Sequence, residues 1–277
     1  TQALAVYREI SQGADTKEIA KTLNKLGNNY SNMKQYDKSV EYLTQALAVY
    51  REISQGSDTK HIANTLCNLG YNYSNMKQYD KVVEYYVQAL AAYREISQGA
   101  DTEDIANTLY NLGVSYWYAK KYSKAEESYQ EAIAIYTNIP ATHEQVAKSL
   151  HNLGNMYTDT KQYADAERSY LQALDIWRQI SSGTDSVDIA KTLRSLGWCY
   201  RDAGMDRKAK ETLTQALDIT IKVDPENTDR VRIKSYLSTH STDEPPQTLH
   251  HAARESLPQS NLPINTTLSK RKRCCIC

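Results

Sequence analysis

The side chains able to do chemistry are few and badly grouped for it. Five cysteines (Cys67, Cys199, Cys274, Cys275, Cys277) and six histidines (His61, His143, His151, His240, His250, His251) are present. A zinc site needs thiolates or imidazoles at short paired spacings, and a disulfide framework needs regularly placed cysteines. Neither pattern occurs. Cys67 and Cys199 stand far apart inside apolar periodicity and read as packing residues, and such cysteine usage fits a reducing compartment. His250 and His251 lie where periodicity has vanished, so no scaffold would hold them against a substrate. No P-loop, dinucleotide fingerprint or nucleophile elbow is found. The expectation is a chain that is not an enzyme, with no cofactor, no metal and no small-molecule substrate.

One cluster does carry chemistry. Lys270-Arg271-Lys272-Arg273 precedes Cys274-Cys275-Ile276-Cys277 at the end of the sequence. A cysteine four from the end, an aliphatic residue two from the end and a basic run before them resemble a prenylation signal. Cys275-x-Cys277 also resembles the double-cysteine ending of Rab GTPases. A single lipid chain binds a membrane only marginally. Each Lys or Arg adds about 1 kcal/mol at an anionic leaflet, so Lys270 to Arg273 would reinforce an alkylated Cys274, with Cys275 open to palmitate. The implied location is cytoplasmic, peripheral on a membrane surface. The alternative is a nuclear-localisation patch at the same four basic residues.

The elements that would present any of this are helices. Lys plus Arg equal Asp plus Glu at 33 each, which excludes a globally basic nucleic-acid binder. No apolar run reaches 18 residues, so no span of the bilayer is expected. Phe is absent while Tyr reaches 22, so tyrosines must fill the large packing sites and find partners for their hydroxyls at the edge of the core. Thr1–Ile10 recurs unchanged at Thr44–Ile53, and Leu-Gly recurs at Gly27, Gly70, Gly113, Gly154 and Gly197, spaced 43, 43, 41 and 43. A fixed period of that length means stacked units that bury their apolar faces on one another.

Each unit reads as two helices. Ile62, Leu66, Leu69 and Tyr73 make one stripe, and Val83, Tyr86, Leu90 and Tyr93 make the next. Only about three residues separate the two, which forces an antiparallel pair. Asp15, Asp58, Asp101 and Asp185 are the expected N-caps of first helices, Thr142-x-x-Gln145 and Ser123-x-x-Glu126 the expected capping boxes, and Gly13, Gly56, Gly99 and Gly183 the left-handed stops of second helices. Hairpins are expected at about 15–54, 58–97, 101–139, 142–181 and 185–222, after a lone helix at 1–11. A basic capping helix follows, because Thr228-Asp-x-Val-x-Ile233 echoes Thr184-Asp-x-Val-x-Ile189.

Leu112-Gly113-x-x-Tyr116 followed by Ala125-x-x-x-Tyr129-x-x-Ala132 resembles the tetratricopeptide repeat, and Asp58-Thr-x-x-Ile-Ala-x-Thr-Leu-x-Asn-Leu-Gly is most similar to the repeats of kinesin light chains. The resemblance covers residues 1 to about 237. It departs from the family at Ser39 and Val82, where Ala is usual, and lacks the family's His-Pro. It implies an all-α right-handed solenoid of helix hairpins acting as an adaptor or scaffold, with first helices lining a concave groove that holds an extended peptide.

The lining positions implied by the resemblance are six, three and two before each repeated Gly and one, four and five after it. They are Lys21, Asn24, Lys25, Asn28, Ser31 and Asn32; then Asn64, Cys67, Asn68, Tyr71, Ser74 and Asn75; then Asn107, Tyr110, Asn111, Val114, Trp117 and Tyr118; then Lys148, His151, Asn152, Asn155, Thr158 and Asp159; and finally Lys191, Arg194, Ser195, Trp198, Arg201 and Asp202. Residues 1–43 and 44–86 differ at 8 of 43 positions, and four of the eight are lining positions where chance would put about one. Asn68, Asn111 and Asn152 form a carboxamide ladder able to meet peptide amides. Tyr71, Tyr110, Trp117 and Trp198 offer flat contact area. Lys148, His151, Lys191, Arg194 and Arg201 suggest a positive C-terminal half and a partly acidic peptide partner. The family's clamp for a chain-end carboxylate is incomplete: Asn28 and Asn68 match, but Asn24, Asn107 and Asn111 occupy its cationic places.

The expected organisation is a solenoid at 1–237, a disordered linker at 238–269 rich in Ser, Thr, Pro and Gln, and the basic, cysteine-ended tail at 270–277. Thr1 begins inside a repeat without Met, so a longer protein is expected. The alternative to a free-standing adaptor is the targeting segment of a larger enzyme or of a host-directed bacterial effector.

Overall fold

In the computed structural model, the described residues are 16–54 and 59–240. The expected helix at 1–11, the expected caps at Gly13, Asp15, Gly56 and Asp58, and the whole tail with Cys274, Cys275 and Lys270 to Arg273 lie outside them. Eleven helices occur among the described residues and no strand: α1 Thr16–Asn32, α2 Tyr36–Ser54, α3 Thr59–Asn75, α4 Tyr79–Ser97, α5 Glu103–Tyr118, α6 Tyr122–Asn138, α7 His143–Asp159, α8 Tyr163–Ile180, α9 Val187–Asp202, α10 Asp206–Val223 and α11 Asp229–Thr239. No helix among these residues is long and apolar enough to cross a membrane.

Consecutive helices pack as antiparallel hairpins, and each hairpin stacks on the next to give an α-solenoid. The apolar stripes explain the pairing. In α7, Val146, Leu150, Leu153 and Tyr157 are buried at 4, 3, 4 spacing, facing Ala166, Tyr170 and Ala173 of α8. One core runs through the stack from Leu43 to Tyr236, and a smaller one of Ala20, Ala46, Val49 and Tyr50 lies in the first hairpin.

The repeated glycine sets how close the two helices come. A Cβ on Gly113 would stand 2.7 Å from the Tyr129 ring, one on Gly154 2.7 Å from Tyr170, and one on Gly27 or Gly197 2.6 Å from Leu43 or Leu213; Gly70 is easier, at 3.0 Å from Tyr86. All five partners lie sixteen residues beyond their glycine and are buried. The turns inside hairpins repeat equally closely. Lys34, Lys77, Lys120, Lys161 and Gly204 all adopt positive φ, between 58° and 73°. Behind Lys77, its amide donates to the Ser74 carbonyl and that of Gln78 to Tyr73, the paired bonds that close a helix in the left-handed manner.

Several expected boundaries move by a residue. The N-caps are Thr102 and Ser186, whose hydroxyls accept from the Ile105 and Ile189 amides, so Asp101 and Asp185 each sit one place too early. Asp185 instead accepts from Lys222 at 3.0 Å. Thr142 does precede α7, but its hydroxyl donates back to the carbonyls of Tyr136 and Ile139 rather than capping. Ser123 lies inside the first turn of α6, so the second capping box also fails. Gly99 and Gly183 have the expected positive φ, 89° and 80°. The capping helix α11 runs to Thr239, two residues into the segment expected to be linker.

Two packing predictions follow from these contacts. Gly113→Ala and Gly154→Ala are each expected to cost about 1–3 kcal/mol through overpacking, despite alanine's better helix propensity, and Gly70→Ala less; thermal unfolding of the three variants checks the order. Ser39 is fully buried and its hydroxyl has no hydrogen-bond partner among the described residues. Ser39→Ala should therefore raise stability by about 1 kcal/mol, and a fall in the unfolding midpoint would contradict that assignment.

Candidate functional site

First helices stand closer together than second helices do. Cα atoms of α1 and α3, of α5 and α7, and of α7 and α9 come within 8 Å, whereas no successive second helices make a comparable approach. The first-helix row therefore lies on the inner side of the stack. Each of the thirty lining positions is exposed or partly buried, none fully enclosed. Their roles differ with position along the helix.

The residue three before each glycine bonds to the next repeat. Asn24 donates to Thr65 at 2.6 Å, the Cys67 thiol meets the Thr108 hydroxyl at 3.7 Å, and the Tyr110 hydroxyl accepts from Asn152 at 2.8 Å. His151 meets Thr192 at 3.1 Å, and Arg194 donates to Asp229 of α11. This row stitches the inner wall from α1 to α11, so Tyr110, His151 and Arg194 are already engaged by protein. Burial pushes the thiols of Cys67 and Cys199 above the usual range, in line with packing rather than nucleophilic roles.

The residue six before each glycine is exposed at Asn64, Asn107, Lys148 and Lys191 and half-buried at Lys21, whose ammonium pairs with Glu18 at 2.5 Å. Two of them take the hydroxyl of a second-helix tyrosine. Tyr93 donates to Oδ1 of Asn64 at 2.5 Å, and Tyr136 donates to Oδ1 of Asn107 at 2.6 Å. A carboxamide has one oxygen and one NH₂; with the oxygen turned back toward the core, the outward group is the donor. Lysine has donors only. The row thus presents one donor per repeat across five repeats. Asn155 repeats the device one residue after its glycine, its Oδ1 taken by Tyr170 at 2.7 Å.

The carboxamide ladder is less open than its sequence suggests. Asn152 is spent on Tyr110, and Asn68 leans on Asn24 at 3.4 Å, as does Asn28 at 3.2 Å. Only Asn111 carries no side-chain hydrogen bond among the described residues. The aromatic positions stay available. Tyr71 is 55% and Tyr118 54% exposed; Tyr118 stacks on Tyr79 and Trp117, and the Trp117 indole donates to Asp159 at 2.8 Å.

The expected positive half is mostly neutralised. Lys148 pairs with Glu144, Arg194 with Asp229, and Arg201 with Asp202. His151 is uncharged near neutrality: burial, with Arg194 and Lys191 nearby, pushes its pKa down to about 4. Among the described residues, Lys25 and Lys191 keep no carboxylate within 4.0 Å. Among the described residues, no group of three or more His, Cys, Asp or Glu could hold a metal ion.

A cleft of about 540 Å³ opens between α1 and α3, lined by Lys21, Asn24, Lys25, Asn28, Asn64, Cys67 and Asn68. Tyr50, His61 and Tyr93 complete it, with His61 stacked on Tyr50 at 5.2 Å. Those three were not among the expected lining residues. A signal for His61 existed, since Glu18/His61 is one of the eight differences between the duplicated units.

A family model described as tetratricopeptide repeat matches residues 18–95, 61–138 and 145–222. No curated protein matches this chain. Among solved structures, a putative kinesin light chain of Podosopora anserina with nearly identical TPR-like repeats is 19% identical, with TM-score 0.65, over 75% of this chain and 97% of that one. BtubC (BKLC) from P. vanneervenii is 20% identical, with TM-score 0.62, over 92% and 95%. The quorum sensor NprR from B. thuringiensis is 14% identical, with TM-score 0.65, over 86% of this chain and 64% of its own. NprR has also been solved in complex with its cognate peptide NprX, at TM-score 0.52, 15% identity and coverage of 86% and 66%.

The histidine gives a pH prediction. Its folded pKa of about 4 lies below the unfolded value of 6.5, so the unfolded chain binds its proton first as pH falls. The stability tied to neutral His151 is present above about pH 6.5 and is lost toward pH 4. Comparing the thermal midpoints of wild type and His151→Gln from pH 7 to 4 should show a shallower decline in the variant; parallel declines would contradict this.

Proposed function

Because the chain belongs to the tetratricopeptide repeat family, we propose that it is a protein-binding scaffold whose first-helix wall holds an extended peptide by its carbonyl oxygens. The observation that carries this is the row Lys21, Asn64, Asn107, Lys148 and Lys191: one outward donor in every repeat, with the acceptors of both asparagines tied up from behind. An extended chain exposes carbonyl acceptors regularly along its length, and a one-sided row of donors is suited to meet them. The dimensions support the same reading. Packed helices lie about 8–10 Å apart, and a chain extended as polyproline II turns once every three residues with a rise of about 3.1 Å per residue, so every third carbonyl returns to the same face at roughly the spacing of successive donors. Tyr71, Tyr118 and Trp117 lie on the same wall and suit apolar anchors of the ligand. The complex of NprR with a peptide supports a peptide as the class of partner for this architecture.

The test uses random dodecapeptides displayed on phage and selected on the full chain. Asn64→Asp with Asn107→Asp keeps an acceptor for each tyrosine hydroxyl but replaces each outward donor with a negative charge. Affinity of the selected peptides is expected to fall at least tenfold. Unchanged affinity, or failure to select any peptide, contradicts the reading.

We further propose that the scaffold is tethered to a membrane by lipidation of Cys274, assisted by Lys270, Arg271, Lys272 and Arg273, with Cys275 as a second acceptor. This rests on the sequence pattern alone. Expression in eukaryotic cells with a clickable isoprenoid should label the wild-type chain and not Cys274→Ser. Equal labelling of both, or none of either, overturns the proposal.

A further inference from the structure

The inner wall does not end at the last full repeat. Helix α11 packs on α10 and supplies side chains to an open hollow of about 520 Å³ shared with Trp198 and Arg201 of α9. Four features of this hollow point to a ligand. The guanidinium of Arg201 lies 4.6 Å from the Trp198 ring centroid and that of Arg232 lies 4.7 Å from it, so two cations stand against one indole. Arg201 is paired with Asp202, but Arg232 has no carboxylate partner among the described residues. Val231, one residue before it, is 73% exposed, more than any other large hydrophobic described. Tyr236 closes the floor, edge-on to Trp198 at 5.4 Å, with its buried hydroxyl lacking a hydrogen-bond partner among the described residues.

The charge balance here differs from the rest of the wall. Helix α11 carries Arg230, Arg232 and Lys234 against the single acid Asp229, and Asp229 is consumed by Arg194. Elsewhere the wall's cations are largely cancelled by neighbouring acids. A basic, aromatic and aliphatic surface at the end of a donor row matches a ligand carrying carboxylates beside an apolar side chain.

We propose that α11 is part of the binding site rather than a passive cap: Trp198, Arg201, Val231, Arg232 and Tyr236 form a terminal subsite for a partner peptide segment with side-chain carboxylates flanking an aliphatic residue. Arg232 is the specificity-determining cation, Val231 and Trp198 hold the aliphatic side chain between them, and Arg201 orients the indole. The subsite fixes the direction in which the peptide lies, because its acidic segment must sit at the α11 end. This rests on the reading of the wall as a peptide site.

The experiment records the indole N–H resonances of Trp117 and Trp198 in the full, ¹⁵N-labelled chain. The probes are acetylated, C-terminally amidated decapeptides in a Gly/Ser background, with cores Glu-Leu-Glu, Lys-Leu-Lys and Glu-Ser-Glu, added to millimolar concentration. Trp117 reports the middle of the wall and Trp198 the proposed subsite. The Glu-Leu-Glu peptide is expected to shift Trp198, with at least tenfold weaker effects from the other two cores, and Arg232→Ala should weaken its binding at least tenfold while Arg232→Lys restores part of it. Both substitutions are on an exposed helix face, and an unchanged Trp117 resonance in the free variants will confirm that they fold. A shift at Trp117 without one at Trp198, equal response to Lys-Leu-Lys, or indifference to Arg232→Ala overturns the subsite and leaves the wall reading standing. If neither indole moves with any core at millimolar concentration, the subsite is overturned as well; the fate of the wall then follows from the phage selection.

Discussion

Five times along the chain, a glycine of one helix faces the ring or branched side chain found sixteen residues later on the next. With Cβ distances of 2.6–3.0 Å, no side chain can grow there without displacing a buried neighbour, and everything else in the stack inherits the separation this sets. It decides that the hairpin closes around tyrosine or leucine, and that the row of first helices comes forward as a continuous wall. The absence of phenylalanine sharpens the consequence. Tyrosines that fill the core must bring a hydroxyl with them, and a buried hydroxyl without a partner is costly. Tyr170 settles its hydroxyl on Asn155, whereas Tyr129, for which Val114 and Trp117 occupy the corresponding positions, has no partner for its own among the described residues.

Packing chemistry in this way reaches the surface. Where the second helix offers Tyr93 or Tyr136, the first helix offers Asn64 or Asn107 to receive the hydroxyl. Where that place holds Trp177 or Thr220, the first helix carries Lys148 or Lys191 instead, and the first repeat departs from the pairing with Lys21 opposite Tyr50. Both solutions leave donors facing outward. Three residues further along each first helix, the side chain turns sideways and joins the next repeat. One face of the helix thus serves cohesion between nearest-neighbour units, and the adjacent face is left for the proposed peptide.

Much of the fold was legible because it is periodic. The Leu-Gly landmark, the 4, 3, 4 stripes and the three-residue turns each repeat often enough to be read without coordinates, and the helices fall within a residue or two of the expected bounds. The N-caps were missed by one because Asp101-Thr102 and Asp185-Ser186 each place two capping residues side by side, and only backbone geometry selects the second. The face of the candidate site was legible, but the work of its members was not. Asn24 with Thr65 and Tyr110 with Asn152 meet across 41 and 42 residues, a separation at which no local pattern reveals a hydrogen bond. The positive half failed for a related reason: formal charges can be counted in a sequence, but Glu144, Asp202 and Asp229 cancel them only in space. His61 was passed over because its position is not one that the family resemblance marks.

The proposed function depends on which side of the stack receives a ligand. Photo-crosslinking answers that most directly: a peptide selected on the full chain, carrying benzophenone at successive positions, is irradiated in the complex and the adducts are located by mass spectrometry. Adducts on α1, α3, α5, α7 and α9, advancing by one helix for about every three peptide positions, are the predicted result. Adducts concentrated on α2, α4, α6, α8 and α10 would contradict it.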